Sequence, residues 1–442
     1  MTSSFLQSSG FLLLGIAVIV LLTAKFRVHA FFALLVACFV TGLGVQMPAA
    51  EIITTIEDGF GRIMRSLALI IVLGTTLGVL LEHTGSTRVM ANAILKRTGQ
   101  RNAALAMSLT GFIVGMPIFC DSGYIVLNGL NKSLAKRTGI SIAVMSVSLA
   151  TGLLSVHCLI PPHPGATAAA GVIGVDVGQL IMYGIVTAIP AMLIGFWWAT
   201  YAGKKTPPIT VEEEIFPAAQ SHPPSTLKAF LPVVVPIILI AVRSFLFIGK
   251  QDSGWLNIFS LAGDPVIALS IGILLAFLSI PNWKKTTVSK LLSEGAEKAG
   301  GILIIIGAGG AFGAVLAATK IGDHFSQAIS LGSLGLLFPF LLTSLLKTAQ
   351  GSSTVAIITA ASIIQPLLVP LGLDSEHGKL ICVLSMGAGS MMISHSNDAY
   401  FWVISKFSGL DMRTMLKVYS FATLLMGLVT LLTVYILSLF LL

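Results

Sequence analysis

Four short stretches place polar and helix-breaking residues together inside apolar surroundings. They are Pro117-Ile118-Phe119-Cys120-Asp121-Ser122-Gly123, His157-Cys158-Leu159-Ile160-Pro161-Pro162-His163-Pro164-Gly165, Gln350-Gly351-Ser352-Ser353-Thr354 and Ser394-His395-Ser396-Asn397-Asp398. Proline removes a helical donor and glycine permits unusual dihedrals, so each stretch exposes backbone groups that a continuous helix would pair. A helix that starts at such a break presents free N–H groups and the positive end of its dipole, which suits a carboxylate. The side chains of Ser122, Ser352, Ser353, Thr354, Ser396 and Asn397 add hydroxyl and amide groups that suit a polyhydroxylated ligand. Gly123 and Gly351 bring backbone within reach of the same ligand.

Two carboxylates, Asp121 and Asp398, fall in these breaks and are the acids expected deep in a bilayer. An acid held in apolar surroundings away from a cation resists ionisation and takes up a proton, which makes each a candidate proton carrier. Asp398 also stands where an N-cap is expected for a helix starting at Ala399, and Asp121 where a turn residue is expected. His157, His163 and His395 flank the breaks and suit proton relay. Lys347 opens the third stretch; it can attract an anion, neutralise Asp121 or Asp398, or snorkel to the surface.

The elements that must position these residues are membrane spans. The chain has 442 residues, 55% of them hydrophobic and 10% charged, against about 25% charged in soluble domains. The runs 11–24, 30–45, 67–81, 180–201, 229–247, 265–280, 302–318 and 418–442 read as spans. The first run lacks a basic leader and is read as a span that stays. The net charge of +8 is topogenic, because Lys and Arg sit in short loops; no nucleic-acid partner is expected. Cys38, Cys120, Cys158 and Cys382 lie in apolar stretches without metal-ligand spacing, so neither a disulfide nor a metal is expected. No GxSxG, HExxH or P-loop is present, and Gly307-Ala308-Gly309-Gly310 lacks the strand context of a dinucleotide site; it suits close helix packing. No enzyme is expected.

Basic clusters after the first span (Lys25, Arg27) and around the segment Ala103–Leu130 (Arg88, Lys96, Arg97, Arg101 before it; Lys132, Lys136, Arg137 after it) place both flanks of that segment on the cytoplasmic side. It must then enter the membrane and return, as a re-entrant helical hairpin. Gly74-Thr75-Thr76-Leu77-Gly78 is matched by Gly309-Gly310-Ala311-Phe312-Gly313 at an offset of 235 (309 minus 74). Ala150 to His157 is matched by Ala388 to His395 at 238 (388 minus 150). The predicted fold is an all-α polytopic membrane protein of two inverted-topology repeats, each with a re-entrant hairpin and a broken transmembrane helix. The first repeat covers 1–203, with its hairpin tip near 116–123 and its broken helix near 157–165. A cytoplasmic linker covers 204–228, and the second repeat covers 229–442 with a tip near 347–354 and a break near 394–399.

The segments Gly115 to Gly123, Pro161 to Gly165, Gln350 to Ala356 and Ser394 to Trp402, in this order, resemble the signatures of the gluconate permease (gluconate:H+ symporter) family, within the ion-transporter superfamily. The resemblance covers essentially the whole chain. It implies proton-driven import of gluconate or a related sugar acid or hydroxy acid across a bacterial inner membrane, by a homodimer moving in elevator fashion. A sodium-coupled carboxylate symporter and an uncoupled facilitator are the alternatives; the coupling ion H+ stands in place of any cofactor. The chain departs from the family's common pattern in having Asp121-Ser122, where Glu followed by Val is common, and Lys347, where Arg is frequent.

Overall fold

The computed structural model describes residues 5–206, 223–246, 261–280, 285–319 and 335–442. The expected linker therefore lies mostly outside the described residues. Among the described residues the structure is helical, without a strand. The first half runs through α1 (Phe5–Val20), α2 (Ala30–Gly44), α3 (Ala49–His83), α4 (Ser86–Thr98), α5 (Ala103–Gly115), α6 (Cys120–Thr138), α7 (Ile142–Leu159), α8 (Pro164–Ile173) and α9 (Val177–Gly203). The second runs through α10 (Thr226–Leu246), α11 (Pro265–Phe277), α12 (Lys285–Ala318), α13 (Leu337–Gln350), α14 (Ser353–Ile364), α15 (Glu376–Met391), α16 (Ala399–Ser408) and α17 (Phe421–Leu441).

Among the described residues six stretches are long and apolar enough to cross a membrane: Ala49–His83, Ile142–Ile173, Val177–Gly203, Thr226–Arg243, Lys285–Ala318 and Met412–Leu441. Five of them overlap an expected span. The sixth, Ile142–Ile173, holds the break after His157 and is 94% enclosed by protein, against 28% for Met412–Leu441. The broken helix is thus the centre of the molecule and the last helix part of its rim. α3 and α12 have 35 and 34 residues, about 50 Å each at 1.5 Å per residue. They extend well beyond the expected runs 67–81 and 302–318 because each adds a charged N-terminal half, with Glu57, Asp58 and Arg62 in one and Lys290, Glu294 and Lys298 in the other.

The two halves interlock. α3 and α12 pack along each other, α3 also packs on α11, and α12 on α2. Two helix starts correspond: α2 and α11 begin at 30 and 265, and α8 and α16 at 164 and 399. Polar caps set several helix starts: Ser141, Asp176, Asp264 and Ser375 each accept a hydrogen bond from a first-turn N–H.

One membrane-surface cluster is visible. Trp198 Nε1 donates to the Lys417 carbonyl at 3.2 Å, Lys205 Nζ lies 4.0 Å from the Tyr201 ring centroid, and Trp197 and Tyr201 are exposed. Aromatic rings beside Lys205, Arg413 and Lys417 make an interfacial belt. This brings together two basic clusters that are far apart in sequence.

At the centre, α5 and α7 touch backbone to backbone. A Cβ on Gly152 would stand 2.2 Å from the Ser108 carbonyl oxygen, and one on Gly111 2.5 Å from that of Leu149. Gly152→Val should separate the helices, lowering the thermal midpoint of the detergent-solubilised protein or abolishing its accumulation in membranes. Gly301→Ala, where nothing lies within 4 Å of the new methyl, should leave the midpoint unchanged or raise it, since Ala is the better helix former by about 1 kcal/mol.

Candidate functional site

Three of the four helix interruptions are narrower than the polar stretches around them, and the last is wider. Between α5 and α6 only residues 116–119 are non-helical, so Asp121, Ser122 and Gly123 lie in the first turn of α6. Between α7 and α8 the break is 160–163, so His157 is helical and His163 is the N-cap residue of α8. Between α13 and α14 it is Gly351 and Ser352, so Lys347 sits in the last turn of α13, with Ser353 and Thr354 opening α14. The last break, residues 392–398, leads into α16 and includes Ile393 at φ +44°, a strained conformation for a β-branched residue.

The breaks meet across the halves. α6 packs on α16 and α8 on α14. A Cβ on Gly351 would fall 2.1 Å from the Asn397 carbonyl oxygen, and one on Gly165 3.3 Å from Thr354 Cα. Asn397 Nδ2 donates to the Thr348 carbonyl at 2.7 Å, and His395 Nε2 lies 3.2 Å from the same oxygen. These contacts clamp the α13–α14 turn to the last break. The glycines of the repeated motif fit around them: a Cβ on Gly74 would stand 2.8 Å from Pro162 Cβ, one on Gly78 2.7 Å from the Pro117 carbonyl oxygen, and one on Gly309 2.4 Å from Ile358.

The most buried charges of the site form one pair. Lys347 Nζ lies 2.6 Å from Asp398 Oδ2, with side-chain exposures of 1% and 9%. Lys347 also donates to the Gly351 carbonyl at 2.8 Å. Asp398 Oδ2 accepts the Ser394 hydroxyl, and Oδ1 accepts the Tyr400 N–H at 2.9 Å, capping α16. The premise that Asp398 is remote from a cation therefore fails: it is at once a cap and an ion-pair partner. Lys347 does not snorkel; it is buried. Asp121 has no direct ion pair among the described residues, and the charges of Asp398 and Lys347 act on it.

Histidines link the two halves. His163 Nε2 is 2.7 Å from the Gly115 carbonyl, His163 Nδ1 is 3.3 Å from His157 Nδ1, and His157 Nε2 is 3.4 Å from Thr354 Oγ1. A carbonyl only accepts, so neutral His163 must carry its proton on Nε2. Its bare Nδ1 then accepts from His157 Nδ1–H, and His157 Nε2 accepts the Thr354 hydroxyl. One tautomer of each ring satisfies every bond in the chain, from the end of α5 to the start of α14.

The remaining expected ligands have structural partners. Ser352 Oγ caps α14 through the Val355 N–H, and Ser353 Oγ donates to the Ser390 carbonyl at 2.9 Å. Ser396 and Asn397 are exposed at the rim. Two groups lay outside the expected site residues, Glu82 and Gln350. Glu82 of α3 faces the Ser122 side chain and lies 3.9 Å from Lys298, which pairs with Glu294 at 2.9 Å. The Gln350 amide is dry, and neither its nitrogen nor its oxygen has a partner among the described residues. The signal for Glu82 is its place one turn beyond Gly78, which seats against Pro117. No group of three or more His, Cys, Asp or Glu positioned to hold a metal ion occurs among the described residues.

Broken helices meeting cross-wise around a buried ion pair, inside a bundle of apolar spans, define a multi-pass membrane permease. The description "GntP family permease" matches residues 10–440, and the chain belongs to that family. It is 32% identical over 439 residues to a gluconate permease of Pseudomonas aeruginosa, covering 96% of each chain. It is 31% identical over 436 residues to a D-serine transporter of Escherichia coli, covering 97% of each. The fold is similar to the crystal structure of the Alcanivorax borkumensis YdaH transporter, with a TM-score of 0.63 at 16% identity, covering 89% of this chain and 90% of that one.

Two substitutions test the geometry of the site. Gly351 has φ +80° and backbone against it, so Gly351→Ala should cost about 2 kcal/mol or more through strain and clash, read as a lower unfolding midpoint. His163→Phe would leave the Gly115 carbonyl and the His157 Nδ1 proton unpaired, at about 1–3 kcal/mol for each lost partner. His163→Phe should therefore lower the midpoint further than His395→Phe, whose ring is only partly buried.

Proposed function

We propose that this permease imports a small polar carboxylic acid, a sugar acid such as gluconate or a related hydroxy acid, by proton symport across a bacterial inner membrane. The observation that carries the reading is the buried Lys347–Asp398 pair at the meeting point of four helix breaks. It sets a cation for a carboxylate where helix N-termini already favour an anion. The named substrates of the two relatives, gluconate and D-serine, share a carboxylate next to a carbon bearing a polar group. Asp121, without a direct cation, is the group through which the proton enters.

The architecture supports the same reading. α5 has 13 residues, about 20 Å, too short for a hydrocarbon core of about 30 Å. With α6 it reads as a re-entrant hairpin, and α13 with α14 as its counterpart in an inverted second repeat. Broken helices of inverted repeats that meet near the midplane are a recurring plan of secondary transporters. Elevator motion in a homodimer is the mode the family resemblance implies.

Purified protein in proteoliposomes, given radiolabelled gluconate and an inward proton gradient without sodium, should accumulate it against its gradient. An uncoupler should abolish the accumulation, and unlabelled sugar acids and D-serine as competitors would rank the substrates. Accumulation that requires sodium, or equilibration without accumulation, would refute proton symport. Asp121→Asn should abolish concentrative uptake; wild-type accumulation by that variant would remove its assigned role.

A further inference from the structure

Among the described residues Lys347 is the one buried Lys or Arg, and Asp398 the one buried Asp or Glu. Together they are neutral. A carboxylate arriving beside them would add an uncompensated charge to a dry interior, at a cost of several kcal/mol. The arriving anion needs either a second cation or the place that Asp398 holds. We infer that Asp398 occupies, in the empty carrier, the position of the substrate carboxylate on Lys347, and that a proton taken up by Asp398 releases Lys347 to bind the substrate.

The exchange balances. A proton from the bulk joins Asp398 Oδ2, and the substrate carboxylate takes over the N–H of Lys347 that pointed there. The pocket gains one proton and one anion and stays neutral, giving one proton per monoanionic acid. The surrounding bonds fit both states. Ser394 Oγ donates to Asp398 Oδ2, and a hydroxyl can turn to accept once that oxygen carries a proton. Asp398 Oδ1 keeps the Tyr400 N–H throughout, so α16 stays capped while Oδ2 changes partner. Lys347 keeps the Gly351 carbonyl. The Gln350 amide, three residues along the same turn, has both polar atoms dry and unpartnered among the described residues, as a subsite for the polar group next to the carboxylate requires. The titratable groups facing the pair are Asp121 and Cys120 from α6, His157 and Cys158 from α7, and Tyr419 before α17.

This inference rests on the proton-coupled reading, and the test separates the two. Isothermal titration of the full chain in detergent with gluconate, in buffers of different ionisation enthalpy, counts the protons taken up per ligand bound. Wild type should take up about one, with Kd falling about tenfold per pH unit of acidification. Asp398→Asn, which keeps the cap, should bind gluconate with no proton uptake and a Kd that does not vary with pH. The double variant Lys347→Gln/Asp398→Asn, a neutral pair, should retain the wild-type unfolding midpoint and lose gluconate binding. Wild-type proton uptake by Asp398→Asn, wild-type affinity in the double variant, or wild-type binding without proton uptake would each overturn the exchange. Wild type that binds neither gluconate nor the competing acids would remove the proposed function, and the exchange with it.

Discussion

A helix that stops inside an apolar slab leaves carbonyls at one end or N–H groups at the other without partners, and there is no water to take them. Among the described residues this permease interrupts helices four times in its buried centre, and the arrangement there follows from that cost. The Gly115 carbonyl is taken by His163, the Gly351 carbonyl by Lys347, and the Thr348 carbonyl by Asn397 with His395 beside it. The Ser390 carbonyl is taken by Ser353 and that of Ser396 by Trp402. The N–H groups of Val355 and Tyr400 are taken by Ser352 and Asp398. Three of these partners come from another break, His163, Asn397 and Ser353, so those breaks must lie together. A polar cluster at the centre of a hydrophobic bundle is the structural solution to backbone groups that cannot be left bare.

That solution also supplies the chemistry. Hydroxyls expected to face a ligand are in part occupied with the backbone, which narrows recognition to the groups with something to exchange. Lys347 and Asp398 can trade one another for an outside partner because each retains a second bond that does not change. The neutral histidine chain has one consistent proton arrangement; a proton added at His157 Nε2 reverses its bond to Thr354, whose hydroxyl oxygen can accept, and one added at His163 Nδ1 breaks the bond to His157. The histidine chain runs between halves, as does the packing of α6 on α16 and α8 on α14, whereas Lys347 and Asp398 both belong to the second half. A change of protonation in the histidine chain therefore acts on how the halves meet.

Glycine makes the approach possible. Gly74 and Gly78 on α3 seat the first two breaks, and Gly309 on α12 seats α14. The long helices thus carry both the scaffold contacts between halves and the surfaces against which the breaks rest. Glu82 extends this arrangement, placing a carboxylate of α3 against Ser122, beside Asp121.

Much of this was legible in the amino-acid order. Low charge and long apolar runs determine a helical membrane protein, because only helices and closed barrels satisfy the backbone in lipid. Pro117, Pro161, Pro162 and Gly351 mark the breaks, because these residues alter hydrogen bonding or dihedral preference locally. The Gly74–Gly78 and Gly309–Gly313 match gives the expectation of two repeats. Partnership across the chain was not legible. Whether Lys347 meets Asp121, Asp398 or the surface depends on which break faces which, and 51 residues separate it from Asp398. Which nitrogen of His163 holds a proton depends on a carbonyl 48 residues away. Glu82 reads as the polar end of a span until Ser122 is placed beside it. Local residue types decide where a helix must stop. Only the packed structure decides which orphaned group meets which side chain, because that is set by distance in space and not by order along the chain.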